Sequence, residues 1–154
     1  MTDTVDHEFA RFLGQQRVIV PSLTFGVIAF TTVTLFIKIS SAPAIELIPI
    51  FALTLIVAVV VALAAYLVFR RSYEARVRAS NSEPAHAALQ SFRALTVIRA
   101  PLIEGLALLG TVYYWLSREL LFLTVPIVAA FMLLLSIPSR AGFERYRDRF
   151  VRDA

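Results

Sequence analysis

LIPIFALTLIVAVVVALAAYLVF, residues 47–69, runs 23 positions without a charged side chain or a glycine. About 20 apolar residues in helical conformation cross the ~30 Å hydrocarbon core of a bilayer. The stretch therefore reads as a membrane-spanning helix and sets the scale for its neighbours. Runs of similar length and character occupy 18–37, 94–117 and 120–138. Across the 154 residues, 58% are hydrophobic and 17% charged, where soluble domains average about 25% charged. That composition excludes an ordinary soluble enzyme. The expected fold is all-α: a polytopic membrane protein forming one four-transmembrane-helix bundle over residues 1–154, with amphipathic N- and C-terminal helices.

Outward from the second run, the charges fall into a pattern. Arg70, Arg71, Arg76, Arg78 and Arg93 separate it from the third run, Arg11 and Arg17 precede the first, and Arg140, Arg145, Arg147, Arg149 and Arg152 follow the fourth. A four-span topology puts all of these on one side and leaves only Lys38 and Arg118 on the other. Excess Lys and Arg marks the cytoplasmic face, so both termini and the middle connection are expected inside, in a bacterial inner membrane. The acidic stretch with Asp3, Asp6 and Glu8 is unlike the basic leader of a cleaved signal peptide. The net charge of +4 needs no nucleic acid to explain it, because anionic headgroups attract each such cation by ~1 kcal/mol. Expected partners are the lipid bilayer, its anionic headgroups, and further copies of the chain or a larger membrane complex, with no nucleic acid.

Three segments outside the spans also read as helix. Within an expected interfacial N-terminal segment 1–17, Thr4 is placed to cap a helix over Thr4–Gln16, where Val5, Phe9, Phe12 and Leu13 recur at helical spacing. Arg70, Glu74 and Arg78 stand at i, i+4 and i+8, which carries helix past the second span. Asn81-Ser82-Glu83-Pro84 then reads as a turn, with Ser82 as N-cap and Pro84 in the first turn. Residues 70–93 are thus a helical hairpin with its tip near Asn81. Beyond the fourth span, Pro138 and Ser139 stop one helix and cap the next. Phe143, Tyr146 and Phe150 punctuate the basic tail 139–154, their rings expected to seat in the interface while Arg145, Arg147 and Arg149 meet headgroups. With Arg70, Arg71, Arg76 and Arg78, these arginines are the expected lipid or partner contacts.

The third run holds the only constellation of charges within a span. Arg99, Pro101 and Glu104 lie inside apolar sequence, where a charge at mid-bilayer costs at least ~2.5 kcal/mol, so Glu104 and Arg99 are functional candidates. Glu104 is eleven residues from Arg93 and fourteen from Arg118, about 16 and 21 Å along a straight helix. Ala100, Ala107 and Thr111 share its face, a small and weakly polar stripe suited to packing on protein. Arg99 sits five residues back, ~140° around the helix, so pairing the two needs a bend such as Pro101 supplies by losing the bond to Val97. Two geometries are open: Pro101 kinks a long helix, or it begins a shorter one and leaves Arg99 as a headgroup anchor. Two states of Glu104 are open as well. Unpaired, it is favoured as the neutral acid and makes an ion or proton site with Thr111 nearby; paired with Arg99, it stays ionised and locks the packing. Pro126 is expected to kink the fourth span.

Leu102-Ile103-Glu104-Gly105-Leu106-Ala107-Leu108-Leu109-Gly110-Thr111-Val112-Tyr113 resembles the ion-carrying helix of the rotary ATP synthase proteolipid (c subunit) family, in which a glutamate is followed by a small residue, an alanine and a glycine at similar steps. The likeness covers 12 residues and agrees in direction, since that helix also leaves a cytoplasmic loop and carries its carboxylate mid-membrane. It implies that Glu104 is the protonatable site and that the second and third spans form the proteolipid-like hairpin. The glycine-free second span departs from that family's ring-packing pattern. The whole layout resembles a set of small uncharacterised bacterial four-span membrane proteins with an Arg/Leu-Glu-Gly third helix and a short basic tail, which implies no activity.

Other features point to structure. Thr24, Thr31 and Thr34 are expected to bond within their own helix and pack. Tyr113, Tyr114 and Trp115 read as an aromatic belt. His7 and His86 have no second ligand at metal spacing, and the chain has no cysteine, so no metal or other cofactor is expected. No Ser/His, paired-Asp or metal-ligand set marks an enzyme. The expected function is a small ion-pathway or proton-linked membrane subunit centred on Glu104. The alternative is a structural or interaction protein that presents its basic hairpin to a partner or to anionic lipid.

Overall fold

A computed structural model describes residues 2–37, 48–80 and 83–152. They form five helices: α1 (Thr2–Phe36), α2 (Ile48–Ala79), α3 (Pro84–Ser117), α4 (Leu120–Leu135) and α5 (Arg140–Arg152). The first three are long and apolar enough to cross a bilayer, and α4 qualifies only together with α5, which bends 79° away from it. Alone, the 16 residues of α4 rise about 24 Å. Large apolar side chains face outward on several helices, among them Phe25, Leu53, Val68, Leu120 and Leu135. None of the most apolar stretch of α2 is buried. A surface of that kind is compatible with a membrane protein and is not what a soluble monomer displays.

α3 is the central helix, packing on α1, α2, α4 and α5. Small residues on two of its faces permit this. Ala100 and Ala107 meet Val20 and Val27 of α1 and Ala129 and Leu133 of α4 in one buried cluster. At Gly110 the approach is closest: an added Cβ would stand 2.6 Å from the Val125 Cβ and 3.2 Å from the Phe122 carbonyl oxygen. Arg93 of α3 and Arg118, the residue that caps it, hold α1 near its two ends. Arg93 reaches Glu8 through both its carboxylate, at 3.3 Å, and its carbonyl oxygen, at 2.6 Å. Arg118, a left-handed cap with φ 60° that donates its N–H to the Tyr114 carbonyl, gives an Nη2 bond of 2.9 Å to the Ile37 carbonyl.

α2 runs past its apolar stretch to Ala79, α3 begins at Pro84, and the Arg70–Glu74 pair closes at 3.1 Å. Glu83, one residue later than Ser82, holds the N-cap position. Asn81, Ser82 and the first connection 38–47 with Lys38 lie outside the described residues.

The terminal helices differ from expectation. α1 is continuous from Thr2, so Thr4 lies inside it and 1–17 is no separate element; nothing at Gln16-Arg17-Val18 breaks the helix, and Pro21 is absorbed within it. α5 is capped by Ser139, whose Oγ accepts the Gly142 N–H at 3.1 Å. Its aromatic face, however, meets protein. Phe143 is buried with Phe9, Phe12 and Leu89, stacking on Phe9 at 4.5 Å between ring centroids, and Phe150 is buried with Val77, Ala87 and Ala88. The break after Leu135 turns α5 back across the basic ends of α1, α2 and α3, and rings presented at helical spacing by α1 and α3 meet those of α5. Phe9 and Phe12 are therefore core residues, and the basic end of the bundle has its own small core.

Candidate functional site

α3 is unbroken through Pro101, so the shorter helix beginning there is not the one formed. Arg99 and Glu104 therefore share one helix, five residues apart, and leave it on different flanks. α1 runs parallel to α3, since Glu8 meets Arg93, Thr31 meets Thr111 and Ile37 meets Arg118. The offset between contacting residues is 80 to 85 positions, which puts Glu104 level with residues 19–24 of α1. The carboxylate is half-buried at the edge of the face that packs on α1, beside exposed Gly105 and Leu108. A Cβ added at Gly105 would meet nothing within 4 Å, so this flank is open. Among the described residues Glu104 has no hydrogen-bond or ion-pair partner.

Arg99 is exposed on the other side. It lines a cleft of about 640 Å3 between 59–66 of α2, 99–106 of α3 and 124–132 of α4, and Glu104 is not part of that lining. The wall is aliphatic apart from Arg99, Tyr66 and Thr124. At the far end from the arginine-rich face, the rings of Phe51, Tyr113 and Phe122 close together, with centroids 4.8 to 6.3 Å apart, and Thr54 Oγ1 bonds the Tyr113 hydroxyl at 2.8 Å. At the basic end, Glu74 Oε1 accepts from Arg70 Nε at 3.1 Å and from the Tyr146 hydroxyl at 2.9 Å, joining α2 to α5. Burial and the bond to Glu74 hold the Tyr146 hydroxyl protonated well above the usual tyrosine range.

Thr111 belongs to the seam between α1 and α3. Its hydroxyl donates to the Ala107 carbonyl at 2.9 Å, which leaves Thr31 as donor in the 3.1 Å bond between the two threonines. Thr24 and Thr34 bond to Val20 and Phe30 one turn back. Tyr113 sits in the ring cluster and Tyr114 is buried, so of the expected belt only Trp115 faces outward. Pro101 is exposed and Pro126 buried, both within continuous helices. Among the described residues no three His, Asp or Glu side chains form a metal-binding group.

The arginines of the basic end divide into two sets. Arg70 pairs with Glu74, Arg78 lies 4.7 Å from the Phe150 ring centroid, Arg145 bonds the Ala141 carbonyl and Arg147 approaches Asp148 at 3.6 Å. Arg71, Arg76 and Arg149 are exposed with no ion pair among the described residues. Neither the grip of Arg93 on Glu8 nor the tie from Tyr146 to Glu74 is visible in local sequence. The nearest signal is the helical spacing of Phe9, Phe12, Phe143, Tyr146 and Phe150, which marks one apolar face on each helix.

No protein-family model, no curated protein and no solved structure matches this chain.

Proposed function

We propose that the chain is a multi-pass inner-membrane protein, N- and C-termini inside, in which Glu104 is a protonatable site working against a neighbouring polypeptide, as an ion-pathway or proton-linked subunit. The observation that carries this reading is the separation of Glu104 from Arg99. A carboxylate sealed against a guanidinium is a structural pair; this one is unpaired, half-buried and on an open flank of α3. A carboxyl inside a spanning helix is costly to keep there without a function, and the open flank lets a partner bring water or a cation to it. The resemblance of residues 102–113 to the proteolipid helix supports the same role. A hydrophobic carbodiimide, which adds to a protonated carboxylic acid, tests it: wild-type protein in native membranes should take up the reagent and Glu104→Gln should not. Proton flux in liposomes containing the intact membrane fraction should fall with the same substitution. Equal labelling of both proteins, or labelling elsewhere only, would overturn the reading.

A second reading has its own support. Arg71, Arg76 and Arg149 project from an end made rigid by two buried aromatic clusters, which suits a basic docking face for a partner or for anionic lipid. Loss of a co-purifying partner on replacing all three with glutamine, with Glu104 labelling unchanged, would favour it.

A further inference from the structure

We infer that the cleft between α2, α3 and α4 binds a single anionic membrane lipid, with an acyl chain in the aliphatic groove and the phosphate on Arg99. This rests on the membrane-spanning reading above and is independent of the role given to Glu104.

The groove lies where α2 and α4 both pack on α3. Phe51 contacts Phe122 of α4 at one end, and Glu74 contacts Tyr146 of α5 at the other. Residues 59–66 of α2 and 124–132 of α4 line its two sides, and the walls are aliphatic apart from Arg99, Tyr66 and Thr124. Arg99 opens into this space with no anion among the described residues. A guanidinium in apolar surroundings is stable when it is paired, and its planar fork matches two oxygens of a phosphate. The protein supplies no such anion here, so the complement comes from outside.

Position selects the lipid. Arg99 lies six residues, about 9 Å, along α3 from Arg93, at the end of the cleft nearest the basic face. From Arg99 to Leu106 on α3, and from Thr124 to Met132 on α4, the lined length is about 10 to 12 Å along the helix axes. That falls within one leaflet, half of a ~30 Å core. The cation therefore stands where headgroup phosphates of that leaflet lie within reach of a snorkelling side chain, and the groove follows the path of the chain beneath. A non-helical peptide would bring unsatisfied backbone groups into the same space. Tyr66, across the cleft, adds a hydroxyl near the headgroup.

The test uses full-length protein in phosphatidylcholine nanodiscs with and without phosphatidylglycerol, followed by release into detergent and native mass spectrometry. Wild type should retain one phosphatidylglycerol with about five- to tenfold preference over phosphatidylcholine, the scale of one interfacial cation or slightly more. Arg99→Gln should abolish the preference. Ala62→Trp, which fills the groove and leaves the cation, should remove the retained lipid, and Arg71→Gln with Arg76→Gln should leave it in place. Preference surviving in Arg99→Gln, or lost only in the hairpin variant, would overturn the inference. Alkaline carbonate extraction separates the two levels: protein stripped from membranes would overturn the spanning reading itself, whereas carbonate-resistant protein without lipid preference would overturn the cleft site alone.

Discussion

Arg99 and Glu104, five residues apart on α3, do not pair: the guanidinium lines the cleft toward α2 and α4 while the carboxylate stands at the edge of the α1 seam. Their contributions to stability should therefore be independent. In a thermal-melt cycle in detergent, Arg99→Gln, Glu104→Gln and the double variant should add to within about 0.5 kcal/mol. A coupling of about 2 kcal/mol or more would show a pair that the geometry lacks.

Gly110 and Gly105 should respond oppositely to alanine. A methyl group at Gly110 collides with Val125, and overpacking of a tight helix crossing costs about 1 to 3 kcal/mol. Val125→Ala keeps the Cβ that makes the closest contact and should restore little of that loss. Gly105→Ala meets open space and should melt at or above the wild-type temperature, because alanine is the better helix former by up to ~1 kcal/mol. Equal losses at the two positions would contradict the packing of α4 on α3.

Ala79 and Glu119 belong to opposite ends of the bundle. In the four-span topology read from the arginines, Ala79→Cys and Glu119→Cys should label from opposite sides of sealed vesicles, with residue 79 on the cytoplasmic side. Labelling of both from one side would remove that topology.

Tyr146 carries a pH signature. Its folded-state value lies above the unfolded one, so the folded chain keeps a proton that the unfolded chain releases above about pH 10. The contribution is complete below that pH and declines as pH rises. Tyr146→Phe should cost about 1 kcal/mol at neutral pH for the lost bond to Glu74 and should flatten the alkaline fall in melting temperature. A parallel fall in both proteins would place the alkaline sensitivity elsewhere.

The helices, and the run of α2 past its apolar stretch, are legible because their signals are local. An apolar run has a length, Arg70 and Glu74 have a spacing, and Pro84 has a place in a first turn. The divergence of Arg99 and Glu104 follows from five residues of helix, once Pro101 is known to leave α3 continuous. What local sequence does not carry is the identity of the surface a face meets. Phe9, Phe143 and Phe150 repeat at a spacing that suits lipid as well as another helix, and only the turn after Leu135 decides for protein. Gly105 and Gly110 look alike in the sequence; the crossing of α4 distinguishes them. The cleft is less visible still, since its walls come from three helices, 59–66, 99–106 and 124–132, that are distant in sequence.

Arg93 and Arg118 restrict what kind of motion this molecule can use. They fasten α1 to α3 at Glu8 and at Ile37, points about 44 Å apart along the helix, with the Thr31–Thr111 bond between them. A piston stroke of α1 by one turn would break all three. These three contacts tie the two helices together along most of their length. α2 packs on α3 as well and borders the cleft with α4, so any change in the width of that cleft has to slide α2 against the same helix.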